Sequence, residues 1–229
     1  MAMGIAGWLL GYHFGRGLWY PVYARLIGRI SVEQAVAKYE SQVTKRLAAN
    51  FKRSGLNGYP NTINIIAIKD EKILEVRTEN NKRKSVLVKT YPFTGFSGKL
   101  GPKLQEGDRQ IPEGIYNISY LNPNSSYHLS MKVSYPNDFD KAMATLDRRT
   151  NLGGDIMIHG KNGTIGCIPL GDPAIEELFI MVQKAKIENV KVIIAPTDFR
   201  KGRPFPEITA VSWSDKLYEK IKEELASYK

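Results

Sequence analysis

The hydrophobic period of the chain changes at Thr62, and that change limits what the chain can fold into. Before it, Val32, Ala35, Val36, Tyr39, Val43 and Leu47 recur at helical spacing. Ser31 and Gln34 stand at the N-cap and N3 positions of a capping box that opens this helix. The helix is expected to run to about Phe51, and Gly55, Gly58 and Pro60 end it. After Thr62 the β-forming residues come in short runs broken by polar turns. Thr62–Lys69 and Lys72–Thr78 flank Asp70-Glu71 as a hairpin, and Ser85–Tyr91 follows as a third strand. Further strands are expected at Ile115–Tyr120, Tyr127–Val133, Asp155–His159, Thr164–Leu170 and Lys191–Ala195. Helices fall at Asp138–Leu146, after Asp172 as N-cap with Pro173 at N1, and in the amphipathic tail Ser214–Lys229. The fold class is mixed α/β and strand-rich, with an N-terminal helical extension. The expected division is 1–30, a membrane anchor or the remnant of a targeting segment; 31–58, the helical extension; 59–200, the main domain; 201–229, the tail.

A chain of 229 residues with a formal charge of +10 is long enough for one domain with a real core and is drawn to polyanions. Charge alone does not choose among nucleic acid, anionic lipid and anionic cell wall. A nucleic-acid partner is not expected, because no recognition motif and no aromatic-basic stripe on one element accompanies the charge. The segment Met1–Tyr23 is apolar and aromatic but interrupted by His13 and Arg16, so it matches neither a full span nor a clean secretory signal. It remains the candidate anchor. Nothing points to an obligate oligomer, and a monomer is expected.

Cys167 is the single cysteine, which rules out an internal disulfide. It is a packed apolar filler, a free thiol or a nucleophile. Its surroundings leave room for chemistry, although a lone cysteine in a strand is more often packing. In Asp155-Ile156-Met157-Ile158-His159-Gly160-Lys161-Asn162-Gly163-Thr164-Ile165-Gly166-Cys167 an apolar strand ends in His159-Gly160, and a tight turn follows. A second run then carries Gly166-Cys167. An antiparallel return would set His159 beside Cys167, as a base and thiol require. The Gly160 carbonyl would fix the imidazole tautomer. The amides of Ile165, Gly166 and Cys167 would receive an oxyanion. The bland alternative is a packed cysteine and a structural histidine.

Other candidates are weaker on residue type. Lys103, Glu106 and Arg109 lie in a long Gly- and charge-rich loop, Gly95 to Gly114, and could bind substrate carboxylates or simply be solvated. His128 lies on a strand, either lining a pocket or packed. Thr164 is a further substrate-binding candidate. A zinc site from His128, His159 and Cys167 lacks metal-like spacing, and no metal is expected.

Three stretches carry a resemblance to a known family: "GPKLQEGDRQIPEGIY", "YHLSMKVSYPNDFDKA" and "IMIHGKNGTIGC", in that order. They resemble the YkuD family of L,D-transpeptidases, and more specifically its YafK-like branch, over about Lys45 to Pro196. The resemblance implies two packed mixed β-sheets with short helices. It also implies a Cys167 nucleophile, a His159 base oriented by Gly160, and oxyanion donors at Gly166 and Cys167. The implied reaction is acyl transfer on peptidoglycan stem peptides at diaminopimelate, without a cofactor. A hydrolytic version would release a lipoprotein from that diaminopimelate, and a non-catalytic wall-binding module is a third reading. Such a protein would work in the periplasm or on the outer face of the cytoplasmic membrane. Two features depart from the typical family: only Lys161, Asn162 and Gly163 separate Gly160 from Thr164, and Ile165 replaces a second histidine.

Overall fold

The computed structural model describes residues 28–80 and 84–228. The candidate anchor Met1–Tyr23 lies outside the described residues. Among those described, no helix is long and apolar enough to cross a membrane.

Eight strands form one curled sheet in the order β3-β2-β1-β8-β4-β5-β6-β7. They are β1 (Ile63–Ile68), β2 (Ile73–Glu79), β3 (Ser85–Pro92), β4 (Gly114–Ser125), β5 (His128–Val133), β6 (Met157–His159), β7 (Ile168–Pro169) and β8 (Val190–Ala195). The helices are α1 (Val32–Arg53), α2 (Asp138–Leu146), α3 (Asp172–Ala185) and α4 (Ser214–Leu225). β4 is the hinge between two mixed halves. Its first residues pair with β8, from Gly114↔Ile194 to Asn117↔Lys191, and from Ile118 onward it pairs with β5.

Beyond Asn64 and Lys191, β1 and β8 read as apolar runs because both faces of this parallel pair are covered. Ile63, Ile65, Ala67, Val192 and Ile194 join the cluster under α1 and α3, whereas Ile66, Ile68, Ile193 and Ala195 join the cluster under α4. The alternation follows the two-residue period of a strand. Each fully buried isoleucine contributes about 1.5–3 kcal/mol, so a charge at Ile66 or Ile193 would break the α4 layer.

α1 begins at the expected capping box: Ser31 accepts from the Gln34 amide at 3.2 Å, and Gln34 accepts from the Ser31 amide at 2.8 Å. Its buried residues Ala35, Val36, Val43, Leu47 and Phe51 lie on one stripe and pack into the sheet's main core. At α3 the cap differs from expectation. Gly171, at φ +77, is the N-cap, and Asp172 is the first helical residue. The Asp172 carboxylate instead accepts from the Lys161 amide at 2.9 Å, so it braces the turn after β6.

Candidate active site

β6 and β7 were expected to run antiparallel, but they pair in parallel, Ile158↔Ile168 and His159↔Pro169. Two reversals between them produce this. Lys161, at φ +56, makes the first. Its amide is held by Asp172, and its carbonyl accepts from Gly171 N–H at 3.0 Å and from the Thr94 hydroxyl at 2.6 Å. Thr164 and Gly166 make the second, with Gly166 at φ +129. A Cβ at Gly166 would also lie 3.1 Å from the Gln110 carbonyl.

The parallel register still unites the pair. Cys167 falls beside Met157, whose amide donates to Sγ at 3.4 Å. His159 lies two residues beyond Met157 and so on the same face. Such diagonal neighbours are roughly 7–8 Å apart at Cα, within reach of an imidazole. Cys167 and His159 both line one cavity of about 620 Å³. Ile158 and Ile168 point the other way, into the core.

His159 is 2% exposed. Its Nδ1 lies 2.6 Å from the Gly160 carbonyl. A carbonyl only accepts, so Nδ1 carries the proton and Nε2 offers a lone pair. Burial pushes the imidazole below its ordinary value, against the opposing pull of the Gly160 carbonyl, so a neutral base is favoured near pH 7. The Tyr127 ring covers it, with centroids 4.6 Å apart. Gly160 is required here for space: a Cβ would meet Asp172 Oδ1 at 2.6 Å and the Tyr127 carbonyl at 2.7 Å.

Cys167 is half-buried. Its thiol donates to the Asp155 carbonyl at 3.7 Å and accepts from Met157 N–H. Burial pushes the thiol up, the Met157 amide favours the thiolate, and the Asp155 charge disfavours it. A thiol and a neutral imidazole therefore face one cavity, a resting state suited to general-base activation.

The proposed oxyanion donors are engaged within the chain. Gly166 and Cys167 amides both donate to Thr164 Oγ1, at 3.3 and 2.9 Å, and the Thr164 hydroxyl donates to the Cys167 carbonyl at 2.7 Å. The Thr164 hydroxyl, expected to meet substrate, is thus spent on bracing the turn that carries Cys167. Ile165 stands 77% exposed at the cavity wall. Lys103, Glu106 and Arg109 also line this cavity. His128 turns away, to Glu176 at 2.9 Å and edge-on to Tyr39. Of the two readings open for Lys103, a solvated loop lysine is the one the structure does not have: it is 7% exposed and paired with Asp108. A larger cavity, of about 680 Å³, lies across the same loop and includes neither Cys167 nor His159 in its lining.

The family model for the YkuD L,D-transpeptidase catalytic domain matches residues 62–194, a span that runs from β1 into β8 and includes Cys167 and His159. The chain belongs to the YkuD family. Two curated relatives, each described as "Putative L,D-transpeptidase YafK", come from Escherichia coli K12 and O157:H7. Each is 31% identical over 161 residues, covering 68% of this chain and 61% of the relative. The chain thus spans about three-fifths of the length of the curated relatives it matches. Among solved structures, the helical cell shape determining protein Pgp2 of Campylobacter jejuni aligns with a TM-score of 0.48 and 19% identity. That alignment covers 73% of this chain and 70% of Pgp2. Bd1075 of Bdellovibrio bacteriovorus aligns at 0.43 and 22%, over 73% and 55% of the two chains.

Within this YkuD domain, Asp155, Met157, Tyr127 and Asp108 escaped the sequence reading. Tyr127 and Asp108 sit inside stretches that carried the family resemblance, so position in those stretches was the available signal. The Met157 amide carries no sequence signal, because only the parallel register aims it at sulfur.

Proposed function

We propose that this chain is a cysteine-dependent acyltransferase acting on peptidoglycan stem peptides at a diaminopimelate centre. One observation carries the reading most directly. His159, its Nδ1–H committed to the Gly160 carbonyl, faces the same cavity as the half-buried Cys167 thiol. In the proposed reaction His159 Nε2 takes the thiol proton as sulfur attacks the carbonyl between an L- and a D-centre. The C–N bond breaks, the leaving amine takes the proton from His159, and a thioester remains on Cys167. An acceptor amine then gives a cross-link, or water gives hydrolysis, and the thiol is restored. The oxyanion lodges on the amides of Gly166 and Cys167 once the Thr164 hydroxyl rotates off them, since both converge on one oxygen position.

The substrate lies outside the cytoplasmic membrane, so the protein is placed in the periplasm or on that membrane's outer face. The formal charge of +10 suits an anionic wall. The test is to incubate wild type and Cys167→Ala with muropeptides bearing tetrapeptide stems, then resolve products by mass spectrometry. Cross-linked dimers from wild type alone support transpeptidation. Released fragments without dimers assign the acceptor to water, including the version that frees a lipoprotein from diaminopimelate. Products from Cys167→Ala, or sacculus binding with no product from wild type, would overturn the catalytic reading.

A further inference from the structure

The cavity wall carries a buried cation for which the Cys–His chemistry gives no use. Lys103 lies in the loop before β4, and its ammonium donates to Asp108 Oδ1 at 2.5 Å and to the Gln105 carbonyl at 2.8 Å. An ammonium has three N–H donors, so one is left over for the cavity. The loop alternates sides. Lys103, Glu106, Gly107 and Arg109 line the catalytic cavity, whereas Leu104, Gln105, Asp108 and Gln110 line the neighbouring one. Asp108 therefore grips Lys103 from behind, without standing in the catalytic cavity itself.

The grip is rigid. The Asp108 carboxylate also accepts from the amides of Leu104 (2.8 Å), Gln105 (3.0 Å) and Gln110 (3.0 Å). Burial opposes its charge, but these donors and Lys103 outweigh that and hold the carboxyl below its ordinary value. The Gln110 carbonyl in turn packs against the backbone of Gly166, next to the nucleophile. Loop and nucleophile turn thus rest on one another.

The other ionisable groups that face the thiol are fewer than the loop's composition suggests. Asp155 precedes β6 and is paired with Lys132 of β5 at 2.6 Å. Glu106 accepts from the Asn151 amide group at 2.9 Å, and Arg109 is an exposed residue at φ +57. Tyr127 lies over His159, which burial keeps neutral. Lys103 is the cation of this wall that is both buried and clamped.

We propose that Lys103, clamped by Asp108, is the electrostatic partner of the Cys167 thiolate and holds its negative charge when His159 withdraws the proton. This rests on the cysteine chemistry proposed above and adds the source of the compensating charge. Burial works most strongly against the thiolate and the Met157 amide for it; the Asp155 charge opposes it further, and the Lys103 charge offsets part of that. A surface lysine would spend its field on water, whereas a buried one lining the same cavity as the thiol is screened less.

The test reads the thiol itself. Alkylation of Cys167 by iodoacetamide, followed by intact mass across about pH 6 to 10, reports the ionisation midpoint without any peptidoglycan. The variants are Lys103→Met, Lys103→Arg and the pair Lys103→Met with Asp108→Asn, each on the full chain. The paired variant leaves no unpaired carboxylate behind if the single one unfolds; circular dichroism checks each fold. The expected result is a midpoint raised by about one pH unit in the Lys103→Met variants, with Lys103→Arg staying near wild type. An unchanged midpoint in a folded Lys103→Met variant, or an equal rise in Lys103→Arg, overturns the proposal. Because the readout needs no substrate, it stands apart from failure of the acyl-transfer reading: an enzyme that makes no muropeptide product still yields a midpoint.

Discussion

Replacing Lys69 by methionine should cost more stability than any surface change in this protein. Lys69 follows β1 and is fully buried, as is its partner Glu113. Its ammonium spends all three donors: on Glu113 Oε1 at 2.7 Å, on the Gly101 carbonyl at 2.9 Å and on the Ile111 carbonyl at 2.9 Å. Glu113 completes the network by accepting from Gly101 N–H at 2.7 Å and from the Tyr218 hydroxyl of α4 at 2.8 Å. Burial pulls the ammonium down from its ordinary value, and Glu113 is the main force that keeps it charged. One side chain therefore ties both ends of the loop that carries Lys103 to the sheet. Lys69→Met leaves a buried carboxylate without its cation and two carbonyls without donors. Removing one partner of a buried pair costs about 3–5 kcal/mol. At roughly 2–4 °C per kcal/mol for a chain of this size, Tm should fall by roughly 6–20 °C. Urea titration and calorimetry would measure both. Adding Glu113→Gln to Lys69→Met should recover part of the loss, since the orphaned charge goes with it. A loss under about 1 kcal/mol for Lys69→Met would refute the reasoning, because it would mean that the network is not desolvated as its burial implies.

Further outcomes follow from the site and from α2. Thr164→Val removes the hydroxyl's bond to the Cys167 carbonyl, which braces the turn, and should lower kcat about tenfold, with Thr164→Ser close to wild type; unchanged or faster turnover would show that the hydroxyl only competes with the oxyanion for the Gly166 and Cys167 amides. Gly160→Ala forces a methyl against the Tyr127 carbonyl and Asp172, so it should cost about 1–3 kcal/mol and most of the activity, checked by thermal melts beside turnover. Asp140, in the first turn of α2, has its carboxyl raised by burial to about 6, above its ordinary 3.8. The folded state then binds more protons than the unfolded one between those values, so this group's contribution should fall as pH rises from about 4 to about 6. Asp140→Asn should flatten that part of the stability–pH curve, and an unaltered slope would count against the shift.

How much of this was legible depended on how local the signal was. The capping box of α1, the bounds of α2 and the β1–β2 hairpin came from residues close in sequence, and the structure has them there. β8 was readable because its apolar run is long enough to be covered on both faces. The β6–β7 pairing was not, since a short strand, a tight turn and a glycine fit a hairpin as well as they fit two successive reversals. The braces at Lys161 and Thr164 that choose between them include partners from Thr94, Gly171 and Asp172. Cys167 and His159 were legible as a pair because each direction of return brings them to one face. Whether Lys103 would be solvated or turned to a pocket was not legible, because its burial depends on Asp108 and on a loop folded over the cavity, and no spacing rule encodes that.

The most direct measurement of the central claim is the intact mass of the protein after incubation with a carbapenem, for wild type and Cys167→Ala. A YkuD-family enzyme with an activated Cys167 should gain the mass of one acyl adduct, mapped by peptide digestion to Cys167, and the variant should gain none. Folded wild type without an adduct, or an adduct that persists in Cys167→Ala, would contradict the assignment of Cys167 as the nucleophile.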